Sequence, residues 1–336
     1  MQGEQAGLRA QMRGYIFEAI ILELMIRSGF VPLAPGAWGD RVRERRDGFI
    51  EMRGRGCWHQ IDCPCEYQRP IPFLYPLRLI GEVKFYKGPL EKRYIREFIG
   101  VLRDIQENYF AHGGGGGPEE RERRTEVGVY FSANGFQREA EKLAYAHGIQ
   151  TISYENNYLV GYLKRWVETL ERSYLSVSCL RDGRWGDVKR AILEAARGKT
   201  GGAEDGPYWA EGYQHMLSSL RDMLTGIQAS LIATTETGTF LHVLGEEEFP
   251  GELFQKSDQG RCRVYSQPAG AGSRYFWLEM EGDLRRRRFY FTPPGDLAAN
   301  GAERPGDPGW EPFHTLNLSP ILNGISRNLT LRVLSG

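Results

Sequence analysis

The first half of the chain predicts an α/β sandwich, a mixed sheet with helices on both faces, and three observations lead to it. An apolar, helix-forming run opens the sequence, and β-prone runs bounded by turn residues follow. Two stretches with helical apolar spacing then alternate with two further β-prone runs. The predicted order is α-β-β-β-α-β-α-β.

Residues 8 to 27, LRAQMRGYIFEAIILELMIR, predict a largely buried helix, with Gly29 as its C-terminal cap. Glu18 lies inside this apolar run. A buried carboxylate costs several kcal/mol unless it is paired or bound to a cation, so Glu18 calls for a partner. Glu23 is read on the solvated stripe, since the two acids sit roughly 140° apart around the helix. Residues 48 to 55 and 58 to 67 predict two strands around a Gly-Arg-Gly turn, and 74 to 86 predict a third. EKRYIREFIGVLRDIQENYF, 91 to 110, carries apolar residues at helical spacing. The run Gly113 to Gly117 and the charged residues after it predict a loop, without the Lys-Ser/Thr ending that cradles a phosphate. TEVGVYFSA (125 to 133) predicts a buried strand, FQREAEKLAYAHG (136 to 148) an amphipathic helix, and IQTISY a last strand.

Beyond about residue 160 the pattern changes. Helical stretches are expected at 157 to 172, 185 to 197 and 208 to 224, with an exposed linker at 198 to 207. From 229 to the end, alternating runs such as TFLHVLG, RYFWLEME and LTLRVL predict a mainly antiparallel β domain. Three regions follow: 1–160, a helical connector at 161–228, and 229–336.

The 43 basic and 43 acidic side chains balance, which argues neither for nor against nucleic acid, since cations can gather on one face. No uninterrupted apolar run is long enough to predict a membrane span. Five cysteines is an odd, low number that speaks against a disulfide framework and for a reducing cytoplasm. Cys57, His59, Cys63 and Cys65 cluster in CWHQIDCPC, but not at zinc-ribbon spacing, so they are read as small buried residues around a strand.

In RLIGEVKFYK, Glu82 and Lys84 are two apart and share one face of a strand. Asp62 falls in the preceding strand, about 4.8 Å away if the two pair, and Glu18 on the opening helix is a fourth member. Carboxylates converging beside a lysine suit Mg²⁺-dependent phosphodiester hydrolysis, with Mn²⁺ as a substitute and the Val83 carbonyl as an extra ligand. Lys84 would position or deprotonate the attacking water and offset charge in the transition state. Gln60 shares a face with Asp62 and could orient the metal's water, whereas His59 is read as structural.

Residues 14 to 18, 53 to 62, 72 to 87 and 129 to 152 together resemble the PD-(D/E)xK nuclease superfamily, in particular its restriction-endonuclease-like branch with the Mrr-type enzymes. The resemblance implies an αβββαβ core, metal binding by Asp62 and Glu82, Lys84 as catalytic lysine, a supporting role for Glu18, and DNA cleavage in restriction or defence. Ile61 stands where the motif has its proline, and Glu82 stands where many Mrr-type proteins have glutamine.

Arg53 and Arg55 belong to an arginine-rich span suited to phosphate contacts, although interleaved acids equally suit a solvated hairpin. Tyr86 and Lys87 follow the ExK strand and could meet the substrate. Arg285 to Arg288 form either a second nucleic-acid contact or a charged strand edge. The expected partner is DNA, with a homodimer or partner protein engaged through the C-terminal half and no membrane. Two other readings stand: a non-catalytic nucleic-acid-binding or assembly module on the same fold, and a ribonuclease.

Overall fold

The structure is a computed structural model that describes residues 2–35, 41–45, 49–67, 73–108, 123–173, 185–197, 211–270, 273–293, 313–322 and 325–334. The expected glycine-rich loop at 113–117 and linker at 198–207 lie outside the described residues, as do Arg46, Asp47 and Pro72.

Helix α1 (Gln2–Arg27) opens the chain and ends at Gly29, whose φ of 93° is the left-handed value expected of a glycine cap. A central five-stranded sheet follows, in the order β1 (Phe30–Pro32), β5 (Cys63–Tyr67), β6 (Leu77–Lys84), β7 (Thr125–Ser132), β8 (Gln150–Ser153). The first three strands are antiparallel and β6, β7 and β8 are parallel, so the sheet is mixed as expected. The parallel pairs are linked through α2 (Lys92–Gln106) and α3 (Arg138–Ala146).

Alternation along β6 and β7 divides the core. Leu79, Val83, Val129 and Phe131 share a cluster with α1, while Ile80 and Tyr130 share another with Ile95, Phe98 and Leu102 of α2. Helices therefore cover both faces. A three-stranded arm, β2 (Val42–Glu44), β3 (Ile50–Arg53) and β4 (Trp58–Gln60), stands outside the central sheet.

Three corrections arise here. The run 58–67 is not one strand: it breaks at Ile61 and Asp62, so that β4 pairs in the arm and β5 in the central sheet. Strands β1 and β2, three residues each, are too short to leave a periodic signal. Glu23 is buried rather than solvated, bonded to Arg27 (2.9 Å) and 3.7 Å from Arg197. The cause is that α4 (Tyr158–Ser173), α5 (Trp185–Ala196) and α6 (Glu211–Thr225) extend the α1 core away from the sheet.

The C-terminal β region is a closed barrel of seven strands: β9 (Ala229–Thr235), β10 (Phe240–Gly245), β11 (Gln259–Gly270), β12 (Ser273–Met280), β13 (Phe289–Phe291), β14 (Thr315–Leu318) and β17 (Leu329–Val333). The remaining pair, β15 (Ile321–Leu322) and β16 (Ile325–Ser326), forms a separate ribbon. Barrel pairs are antiparallel except β11 with β17, which are parallel. The interior is filled by side chains such as Leu241, Val243, Leu278 and Leu331. On the outward side, buried His242 joins Tyr154 (2.6 Å) and Ser230 (2.8 Å), and the Ser230 hydroxyl donates to the Leu24 carbonyl of α1 (2.8 Å). Among the described residues, no helix is long and apolar enough to cross a membrane.

Candidate active site

The register of β5 against β6 pairs Cys63 with Gly81, which sets Asp62 opposite Glu82 one step on. Asp62 lies in the bend between β4 and β5, not inside a strand, and its carboxylate turns onto the end of β6. Its Oδ2 accepts from the Val83 N–H (3.0 Å) and from Lys84 Nζ (2.9 Å). Lys84 Nζ is also 2.5 Å from Glu82 Oε1. Glu82 and Lys84 share a face as the strand period predicts, the one that packs toward α2 and α3, and the bend brings the Asp62 carboxylate to them.

The electrostatics are uneven. Burial, then the Asp62 charge, push the Glu82 carboxyl up to about 7 despite Lys84, with Glu18 adding a smaller upward push. Burial opposes the Lys84 charge, but Asp62 and Glu82 outweigh it and hold the ammonium above its usual range. Two carboxylates share one cation in a site closed to most water: the Asp62 side chain is 5% exposed and that of Glu82 22%. The Val83 N–H points at Asp62, and in a strand the carbonyl of the same residue points toward the same neighbour. The Val83 carbonyl is thereby directed to the β5 side of β6, where Asp62 lies.

The other predicted residues are spread more widely. Glu18 is buried on α1, which covers the opposite face of the sheet, and it reaches Glu82 through its charge. Gln60 ends β4 and pairs by backbone with Glu51 in the arm, half-buried two residues from Asp62. Tyr86 is partly exposed and its ring lies 5.1 Å from that of Tyr94; Lys87 is exposed beside it, just beyond Lys84. Arg53 and Arg55 are exposed at the arm's turn, a β4 length from Asp62, and Arg55 is 3.2 Å from Glu107. They do not join Tyr86 and Lys87 in one patch. Arg285 to Arg288 are in the turn between β12 and β13 rather than in a strand, and Arg287 is buried there.

Two residues near these groups were not singled out by the sequence. Tyr130 is buried and pairs by register with Glu82; burial, then the Glu82 charge, hold its phenol well above the usual value. Its only sequence signal was its place in a buried strand. Asp104 on α2 bonds His59 Nε2 (2.8 Å), which gives His59 a structural contact. Cys63 and Cys65 are buried as expected, whereas Cys57 is exposed.

No family model matches the chain, and no curated protein matches it. Among solved structures it is similar to the crystal structure of a protein of unknown function, AF1548, at 14% identity and a TM-score of 0.36, over 63% of this chain and 98% of that one.

Proposed function

We propose that the chain is a metal-dependent endonuclease that hydrolyses DNA phosphodiester bonds, built on a restriction-endonuclease-like core in its first 160 residues. The observation that carries this reading is the convergence of Asp62, Glu82 and Lys84, with Glu82 raised to about 7 by burial beside a second acid. An arrangement that disfavours two ionised carboxylates is one that a divalent cation would relieve. The donor set fits Mg²⁺, with Mn²⁺ as substitute: Asp62, Glu82 and the Val83 carbonyl are hard oxygen ligands, and few in number. When bound there, the ion supplies electrophilic activation of the phosphate and of the attacking water.

The residues' own roles follow from their positions. Lys84, held as an ammonium, orients the attacking water and offsets negative charge as it builds on the phosphate oxygens. The Val83 N–H and Lys84 fix the Asp62 carboxylate, so the ligand is oriented before substrate arrives. Glu18 adds negative charge from behind the sheet, and Gln60 stands where β4 delivers the chain to Asp62. Tyr86 and Lys87, beyond the end of β6, would meet the DNA backbone. With one site per chain, cutting both strands calls for a dimer or a partner.

The test is incubation of the purified chain with plasmid DNA, in Mg²⁺ or Mn²⁺ against chelator, beside Asp62→Ala and Lys84→Ala. The expected outcome is metal-dependent nicking or linearisation that both variants lose. DNA binding that survives Lys84→Ala, with no cleavage by the native chain, would replace the nuclease with a binding module. Cleavage of RNA but not DNA oligonucleotides of matched sequence would make it a ribonuclease.

A further inference from the structure

A second group of ligating side chains lies at the arm's turn, away from Asp62. Cys57, His59 and Asp104 present ligand atoms within 4.8 Å of one another. Cys57 Sγ is 3.5 Å from His59 Nε2, Asp104 Oδ2 is 2.8 Å from the same nitrogen, and Sγ is 4.0 Å from Oδ2. A nucleophilic triad would set the thiol and the carboxylate on opposite ring nitrogens. Here both face Nε2. With metal bonds of about 2.0 to 2.3 Å, tetrahedral zinc places neighbouring ligand atoms roughly 3.3 to 3.8 Å apart, so Asp104 and His59 would part by about half an ångström and Cys57 would close on Asp104 by a few tenths.

The carboxylate is also held in place. The Gly56 N–H donates to Asp104 Oδ1 (2.9 Å) and the Cys57 N–H approaches Oδ2 (3.3 Å), the kind of outer contact that orients a ligand. Gly54 leaves the room: a Cβ there would lie 2.0 Å from Asp104 Oδ2 and 3.0 Å from His59 Nε2. Cys57 is exposed, so an ion could reach the thiol from solvent.

We propose that Cys57, His59 and Asp104 bind a zinc ion that braces the β3–β4 arm against α2. Thiolate and imidazole select zinc over Mg²⁺, so this site differs in hardness from the Asp62 cluster and does not depend on the nuclease reading. Binding expels the thiol proton of Cys57 and leaves His59 protonated at Nδ1 alone, with Nε2 and Oδ2 turned to the metal. The brace would fix the arm whose last strand delivers Asp62.

The full chain, stripped with chelator, is titrated with Zn²⁺ against a chromophoric chelator and separately loaded with Co²⁺. The expected result is one zinc per chain and a cobalt spectrum with a thiolate charge-transfer band. Cys57→Ser should abolish that band, and Asp104→Asn should weaken zinc beyond the roughly 10–100-fold of an outer-shell change. Asp62→Ala should keep both signals. Circular dichroism checks that each variant is folded. Absence of tight zinc binding, a cobalt spectrum without the thiolate band, or zinc binding that Cys57→Ser leaves unchanged would each overturn the proposal.

Discussion

Two clusters in this chain are made of the same parts, two carboxylates and one cation, and reach opposite electrostatic states. In the barrel, buried Arg287 meets Asp283 (2.9 Å) and Glu252, and Asp283 also accepts from the main-chain N–H groups of Arg285 and Arg287. Hydrogen bonds from Arg287 hold both carboxyls below their ordinary values. In the central sheet, Lys84 meets Asp62 and Glu82, yet Glu82 is raised. Donors and solvent make the difference. A guanidinium offers five N–H groups in a fork, a lysine one point charge. Glu252 is 56% exposed, whereas the second acid of the sheet is enclosed. One cluster is a finished clasp; in the other, one carboxyl is left raised beside its cation.

Substitution at each cation should separate the two most widely. Lys84→Ala should lower plasmid cleavage by about 100-fold or more, as loss of a transition-state charge partner does, while the barrel stays intact. A variant that still cleaves at the native rate would remove Lys84 from the chemistry. Arg287→Met should do the reverse. It leaves Asp283 buried without its partner and should cost about 3 kcal/mol in urea unfolding, with cleavage per folded molecule unchanged.

A smaller contrast appears in pH, measured in chelator. Folded Glu82 keeps its proton up to about 7, whereas the unfolded carboxyl loses it near 4.5. Between those values the folded chain binds more protons, so the Glu82 contribution to stability falls as pH rises. Glu82→Gln should flatten that part of the curve, and an identical pH profile in the variant would refute the assignment. Smallest of all, Lys87→Ala should reduce the salt dependence of DNA binding by about one phosphate contact, and Arg55→Ala by less, since Arg55 already faces Glu107.

The site was legible where local periodicity sets geometry. Glu82 and Lys84 share a face because strands repeat every two residues, and Asp62 reaches them because β5, which it precedes, pairs with β6. The break at Ile61 and Asp62 was hidden, since WHQIDCPCEY is β-prone throughout and pairing partners decide which sheet each half joins. Glu23 was misread for a related reason: helical angle tells which acids share a face, not what covers it. Asp104 looked like any polar residue on an amphipathic helix, and its contact with His59 spans 45 positions. Barrel closure was equally out of reach. The parallel pairing of β11 with β17 joins chain segments about 70 residues apart, which no local pattern encodes.

The burial of α1 on two sides has a consequence for how this chain can be divided. Residues that read as one unit at the level of sheet topology share their longest helix with the helices that follow, through Val160, Leu163, Val167 and Ile192. Ser230 adds a bond from the barrel to that same helix. A gene cut after codon 160 would therefore yield a protein with an oily flank, prone to clumping, and its failure to cut DNA would say nothing about Glu82 or Lys84. Modularity here belongs to the drawing of the fold more than to its inheritance: α1 ties the catalytic candidate, the helical layer and the barrel into a single heritable piece.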